Sequence, residues 1–231
     1  VAEHVTTSYH PFMAKTDAFE SYCEEYEAWF DTYVWAYRTE LDAVRRLLPA
    51  EGRCVEIGVG TGRFAGPLGI RVGVEPSAAM RALARKRGVE VVDGVAESLP
   101  FRDGEFDCVL FVTVICFLDS LDEAFRESCR ILRPGGTVII GFVNRDSPLG
   151  KKYQERKAES RFYRDATFHS VEGVAKRLRE AGFRDFAFVQ AIFGNPADMK
   201  ATGPIREGSD KGAFVVVRAS KFEGAEGNVA L

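Results

Sequence analysis

From Phe19 to Leu48, apolar and aromatic residues return at every third or fourth position: Phe19, Tyr22, Tyr26, Trp29, Phe30, Tyr33 and Tyr37, then Leu41, Val44 and Leu48. Glu20, Glu24, Glu25 and Glu27 fill places between them. The period predicts an amphipathic helix with an aromatic stripe, bent once or divided in two, and stopped at Pro49. Most of the stripe is expected to pack as core. One or two of its rings are expected to face a pocket, which makes the segment a lid. Residues 1–17 carry no clear period and read as a loose arm.

Beyond Pro49 the apolar runs become short and continuous. Cys54, Val55 and Ile57 form a strand-like run that carries one acid, Glu56, and stops in Gly58, Gly60 and Gly62. A short helix follows, then a second strand, Ile70 to Glu75, which ends in an acid. Ser77 reads as the N-cap of a helix with Met80, Leu83 and Ala84 on one face, closed by Gly88. Val89 to Val92 is a third strand, and Phe106 to Val112 a nearly continuous apolar fourth, the pattern of a parallel strand covered on both faces. Ser120-Leu121-Asp122-Glu123 is a capping box for a helix that runs to Leu132 and breaks at Arg133-Pro134-Gly135-Gly136. Thr137 to Val143 is the fifth strand. Strand and helix alternate throughout, which predicts a doubly wound, mostly parallel α/β sheet.

Residues 144–168 interrupt this alternation, with Lys151, Lys152, Arg156, Lys157, Arg161 and Arg164 against few acids. The run reads as a solvated helix face, or as an insertion over the carboxyl edge of the sheet that walls a substrate. If it forms that wall, an anionic acceptor follows. A helix capped by Ser170 and ended by Gly182 comes next, then strands at Phe183–Phe193 and Gly212–Ala219. The tail from Lys221 is small, polar and expected to be disordered.

Composition narrows the classes. At 231 residues, 46% hydrophobic and 28% charged, the chain is long enough to bury a sizeable core. A net charge of −3 argues against a dedicated nucleic-acid binder. There is no apolar run of membrane-spanning length and no signal-peptide pattern in the first twenty residues, so a cytoplasmic protein is expected. Five scattered cysteines without a C-x-x-C pair suit reduced thiols, so neither a disulfide framework nor a metal is expected.

The glycine loop carries the chemistry. Glycines allow positive φ and bring main-chain amides against a ligand, and the helix start behind them offers unpaired N–H groups. Dinucleotide loops space their glycines G-x-G-x-x-G, but position 63 is Arg and the spacing is G-x-G-x-G. Glu56 is also foreign to that fingerprint. Glu75 would accept from a ribose diol in either case. The spacing points away from NAD.

Val55-Glu56-Ile57-Gly58-Val59-Gly60-Thr61-Gly62, Val74-Glu75-Pro76-Ser77, Gly94-Val95-Ala96-Glu97-Ser98-Leu99-Pro100-Phe101, Phe106-Asp107 and Leu132-Arg133-Pro134-Gly135-Gly136 follow one another in register. Together they resemble the class I S-adenosylmethionine-dependent methyltransferases, most closely the small-molecule group that includes the quinone-biosynthesis enzymes (methyltransferase type 11). The resemblance implies S-adenosylmethionine as cofactor, S-adenosylhomocysteine as product and a small-molecule acceptor. It implies a seven-stranded Rossmann-like sheet with an N-terminal helical lid and an insertion after the fifth strand. Residues 1–48 would be the arm and lid, 49–220 the cofactor-binding domain with a substrate cap at 144–168, and 221–231 the tail.

Residue by residue, the resemblance brings the Gly58, Gly60 and Gly62 backbone to the methionine half of the cofactor, with Glu56 orienting the loop. It gives Glu75 the ribose hydroxyls, Pro76 and Met80 the adenine face, and the Ala96 amide an adenine nitrogen. Thr113 would lie near the methionine chain, and Tyr26 and Trp29 would cover the cofactor. Arg63 would pair with the cofactor carboxylate or face solvent. Relatives usually carry Asp where Val95 stands, so the adenine amino group must find Glu97, a carbonyl or water. Cys116-Phe117 replaces a frequent His pair, which implies an apolar wall near the transferred methyl.

Methyl transfer from an activated sulfonium needs alignment more than acid–base chemistry. His4, His10, His169, Tyr9, Tyr33 and Tyr163 are the available proton carriers, and the spacing selects none as a base. A NAD-type oxidoreductase, a cofactor-binding module without catalysis and a nucleic-acid methylase are the alternatives. The last lacks the Asn/Asp-Pro-Pro-aromatic sequence expected after the fourth strand.

Overall fold

The computed structural model describes residues 14–222. His4, Tyr9 and His10 of the arm, and the tail beyond Phe222, lie outside the described residues. The aromatic stripe forms three consecutive helices, α1 (Asp17–Ser21), α2 (Cys23–Thr32) and α3 (Val34–Leu47). The expected bend therefore falls at Tyr22 and again at Tyr33, whose backbone angles leave the helical region.

The alternating part follows as β1 (Cys54–Ile57), α4 (Ala65–Leu68), β2 (Val72–Val74), α5 (Ala78–Lys86), β3 (Glu90–Val92), β4 (Phe106–Val112), α6 (Leu121–Ile131) and β5 (Leu132–Val143). The chain continues through α7 (Pro148–Arg156), α8 (Val171–Glu180), β6 (Phe183–Ala191), β7 (Arg206–Glu207) and β8 (Phe214–Lys221). Ser77, Ser120 and Ser170 each accept a backbone N–H from the first turn of α5, α6 and α8, as their sequence positions predict. Each such cap contributes about 1 kcal/mol.

The sheet has eight strands, in the order β3-β2-β1-β4-β5-β8-β6-β7, and it is mixed. This corrects the expectation of seven. The pairings among β1 to β5 are parallel, whereas β8 runs antiparallel to both β5 and β6. The extra strand is the two-residue β7, which pairs with Val189 and Gln190 at the edge. Two residues are too few to show any period, so the sequence carries no signal for it. The fifth strand also begins earlier than Thr137. Phe106 pairs with Leu132 and Cys108 with Thr137, so Arg133-Pro134-Gly135-Gly136 is accommodated as a bulge inside the pairing.

Both faces of the sheet are covered. Along β4 and β5, Val109, Phe111, Val138 and Ile140 pack beneath α6 and α8 with Phe125 and Leu178. Cys108, Leu110, Val112 and Ile139 point to the other side, against Val44, Ala84 and Phe214. The two-residue period of the strands thus sorts one continuous apolar run into two cores. All five cysteines are free thiols, and Cys108 and Cys116 are buried. No helix among the described residues is long and apolar enough to cross a membrane.

Candidate active site

The loop leaving β1 turns back over the carboxyl end of the sheet through Gly58, Gly60 and Gly62, all at positive φ. A Cβ on Gly58 would overlap the Val114 side chain, so the residue is fixed by packing as well as by backbone angle. The Gly58 and Val59 amides both donate to the Val74 carbonyl, at 2.8 and 3.0 Å, and tie the loop to β2. One residue later Glu75 completes the tie. Its Oε2 accepts the Gly60 N–H at 2.9 Å and its Oε1 the Ser77 N–H at 2.9 Å. Burial raises the Glu75 carboxyl above its ordinary pKa, while these two amides and Arg81 pull the other way.

Loop, sheet edge and lid enclose a cavity of about 240 Å³. Of the residues singled out from sequence, Tyr26, Trp29, Gly58, Gly60, Glu75, Pro76, Met80, Val95, Ala96, Glu97 and Thr113 all line it. Chain segments far apart in sequence therefore converge as expected. Gly60 leaves the loop open there, since the nearest atom to an added Cβ is the Tyr26 hydroxyl oxygen at 3.4 Å. Glu97 holds the approach to α6, accepting the Asp119 and Ser120 amides through Oε1. Thr113 adopts φ +53, strained for a β-branched residue, and donates its N–H to the Gly141 carbonyl at 2.8 Å.

Glu56, Gly62 and Arg63 do not line the cavity. Glu56 is buried beneath the loop, where burial drives its carboxyl well above the ordinary pKa and the Ala65 amide partly offsets this. Gly62 faces α5, where an added Cβ would come 3.2 Å from the Ala84 Cα. Arg63 meets neither expectation. Its guanidinium pairs with Glu27 at 2.8 Å and Asp31 at 3.4 Å and lies over the Phe30 ring. The lid supplies these partners from across the fold, and local spacing could not reveal them.

Those contacts are part of a set that seats the N-terminal helices against the glycine loop and α5. Glu27 also pairs with Arg87 at 2.5 Å, so one carboxylate bridges the glycine helix and α5. Burial alone would raise the Glu27 pKa, but the hydrogen bonds from Arg63 and Arg87 outweigh it and hold the group low. Glu20 accepts from the Ser77 hydroxyl and the Ala79 amide at the start of α5. Arg161 donates to Glu25, and Phe162 packs on Phe19 and Tyr26.

On the far side of β4 the lining changes character. Leu149, Tyr153, Phe162 and Tyr163 from residues 144–168 join Phe117, Ile192 and Phe214. Tyr163 stacks on Phe117 and Tyr153, with ring centroids 6.0 and 5.4 Å apart. Into this wall projects Glu40 of α3, only 7% exposed. Sequence reasoning passed it over. The available signal was its place three residues after Tyr37 and four before Val44, a charge on the apolar stripe. The basic side chains of the insertion stay outside. Lys151, Lys152, Arg156 and Arg164 are exposed, Lys157 reaches the Ala166 carbonyl and Arg161 is paired. None lines the cavity, which corrects the reading of an anionic acceptor held by this run.

The proton carriers are equally constrained. His169 lies outside the main cavity, and burial and Arg177 lower its pKa while its ring bonds to the Ile115 backbone. Tyr33 does not line the cavity, and burial pushes the Tyr163 phenol far up, so it stays neutral. Glu75, with lone pairs beyond its two amides, can accept from a diol. Pro76, Met80 and Val95 offer apolar surface to a flat ring, and Gly58 and Gly60 leave room for a ligand at the loop backbone. A nucleoside with an extended polar tail fits this arrangement.

The family described as Methyltransferase domain matches residues 55–140. An uncharacterized protein of Methanocaldococcus jannaschii is 43% identical over 206 residues, covering 89% of this chain and 100% of its own. An uncharacterized protein of Mycobacterium tuberculosis is 40% identical over 167 residues, 70% of this chain, and the chain spans only 58% of that relative's length. Among solved structures, a Thermotoga maritima S-adenosylmethionine-dependent methyltransferase, described as a possible histamine N-methyltransferase, superposes with a TM-score of 0.88. It is 50% identical, covering 89% of this chain and 99% of its own.

Proposed function

The chain belongs to the class I S-adenosylmethionine-dependent methyltransferases, and from that membership we propose that it methylates a small molecule held between α3, the 144–168 segment and the carboxyl ends of β4 and β5. S-adenosylmethionine, when bound, would supply a methyl group already activated on its sulfonium, to be taken in line by the acceptor's nucleophile with S-adenosylhomocysteine as the leaving group. Glu75 takes the ribose diol, and its bonds to Gly60 and Ser77 fix the carboxylate before the ligand arrives. The Gly58 and Gly60 backbone faces the methionine half, while Pro76, Met80, Val95 and the Ala96 amide take the adenine. The free Glu97 oxygen is the acceptor available to the adenine amino group. Tyr26 and Trp29 close over the cofactor and exclude water.

Glu56, Gly62 and Arg63 serve the loop and the lid, not the ligand. The aromatic wall orients the acceptor. No side chain here needs to act as a base, because holding the nucleophile against an activated methyl supplies the rate by proximity.

The observation that carries this reading is the meeting of Gly60, Glu75 and Ala96 in one cavity under the aromatic lid. No feature favours a dinucleotide, since Arg63 stands where its third glycine would be and is held by Glu27. Calorimetric titration with S-adenosylmethionine, S-adenosylhomocysteine and NAD tests it. Binding of the first two without the third is expected; binding of NAD alone, or of none, would overturn it.

A further inference from the structure

Glu40 is a charge-bearing group with nothing to serve. It is buried, it lines the cavity, and no hydrogen bond or ion pair reaches it among the described residues. A carboxylate placed in an apolar wall is costly unless a partner arrives to compensate it. Tyr153 and Tyr163 lie near enough to feel its charge, and the electron-rich rings that line this half of the cavity favour a cation over an anion. The cavity as a whole leans the same way, since among the described residues Lys15 is the sole cation on its lining and Asp119 engages it.

The position of Glu40 separates it from the cofactor. Helix α3 packs on β5, β6 and β8, whereas the glycine loop follows β1 and Glu75 follows β2. In the strand order β3-β2-β1-β4-β5-β8 these groups lie on opposite sides of β4. Glu40 therefore faces the acceptor half. We propose that Glu40 and the aromatic wall form a cation subsite, so that the methyl acceptor is an organic amine anchored by its ammonium group, the methyl going to a different, unprotonated atom of its flat body. The inference rests on the methyltransferase reading and adds to it the substrate class and the residue that selects it.

A proton must move on binding. Burial pushes the Glu40 carboxyl up to about 8, so at neutral pH it is largely protonated. The titratable groups that feel its charge are the phenols of Tyr153 and Tyr163, both raised by burial and neutral, and no cation faces it among the described residues. An arriving ammonium favours the carboxylate, so the Glu40 proton leaves to the buffer.

The test uses the full chain saturated with S-adenosylhomocysteine and titrated calorimetrically with benzylamine and tryptamine, with the neutral benzyl alcohol and tryptophol, and with the anionic phenylacetate and indoleacetate. At least one amine is expected to bind about tenfold or more tighter than its alcohol and acid counterparts, the scale of one charge-assisted hydrogen bond. Glu40→Gln is expected to abolish that preference while S-adenosylhomocysteine affinity stays within about twofold. Wild-type amine binding at pH 7 is expected to release protons, read as an enthalpy that changes with the buffer. Acids or alcohols binding as well as amines, no amine binding, or an unchanged preference in Glu40→Gln would overturn the inference. So would a parallel loss of S-adenosylhomocysteine affinity, which would assign the carboxylate to the cofactor. If Glu40→Gln does not fold, the wild-type preference and proton release decide. Failure of S-adenosylhomocysteine to bind the wild type would instead sink the methyltransferase reading.

Discussion

Glu75 Oε2 accepts the Gly60 amide at 2.9 Å, so the acid that ends β2 holds the glycine loop that ends β1. One carboxylate thus shapes the loop and lines the cavity. Glu75→Ala removes both functions and is expected to weaken S-adenosylhomocysteine by more than the roughly 1.5–3 kcal/mol of hydrogen bonds to a charged group. Glu75→Gln keeps the volume but can accept only one of the two amides, its NH2 facing the other, so it should lose less than Glu75→Ala without matching wild type. Titration calorimetry on both variants separates the two contributions.

Gly58→Ala forces a side chain into positive φ and against Val114. Backbone strain of roughly 1–3 kcal/mol adds to overpacking of similar size. A drop in stability of more than about 2 kcal/mol in urea unfolding is expected. Gly60→Ala carries the same φ penalty but meets only the Tyr26 ring, so its stability loss should be smaller and its cofactor loss larger.

Glu27→Gln breaks the bridge from the lid to Arg63 and Arg87, at an expected cost of roughly 1–3 kcal/mol near neutral pH. The folded Glu27 pKa is depressed, so its contribution is present above the unfolded value of 4.5 and lost as pH falls through the folded value. Wild type and variant should converge in acid. Thermal melts across that range check this.

Glu40 carries the opposite sign. Burial pushes its folded pKa up to about 8 against 4.5 unfolded, so the folded protein holds the extra proton and loses stability as pH rises through that window. Glu40→Gln is expected to be more stable than wild type at alkaline pH, with the gap closing below 4.5. Melts without ligand measure it.

Arg156→Glu should leave cofactor and acceptor binding unchanged, because Arg156 is exposed and pairs only with Glu159. A clear loss of acceptor affinity would return the basic run to the site.

What the sequence made legible is what local chemistry decides. The caps at Ser77, Ser120 and Ser170 involve atoms three residues apart, and the strands up to β5 show short, mostly apolar runs. The convergence of Gly60, Glu75 and Ala96 followed from motif order. Arg63 and Glu40 were not legible in the same way. Arg63 finds Glu27 and Asp31 only once α2 folds back over the loop, and Glu40 becomes a site only when β5, β8 and Tyr153 surround it. A two-residue strand such as β7 has no period to read.

Tyr26 touches both halves of the site, its hydroxyl near Gly60 and its ring against Phe162. A ring shared in this way is expected to make the two occupancies interdependent, and any such coupling is reciprocal. The acceptor is then expected to tighten the cofactor by the same factor as the cofactor tightens the acceptor, and Phe162→Ala, which severs the Tyr26–Phe162 contact, to diminish both together.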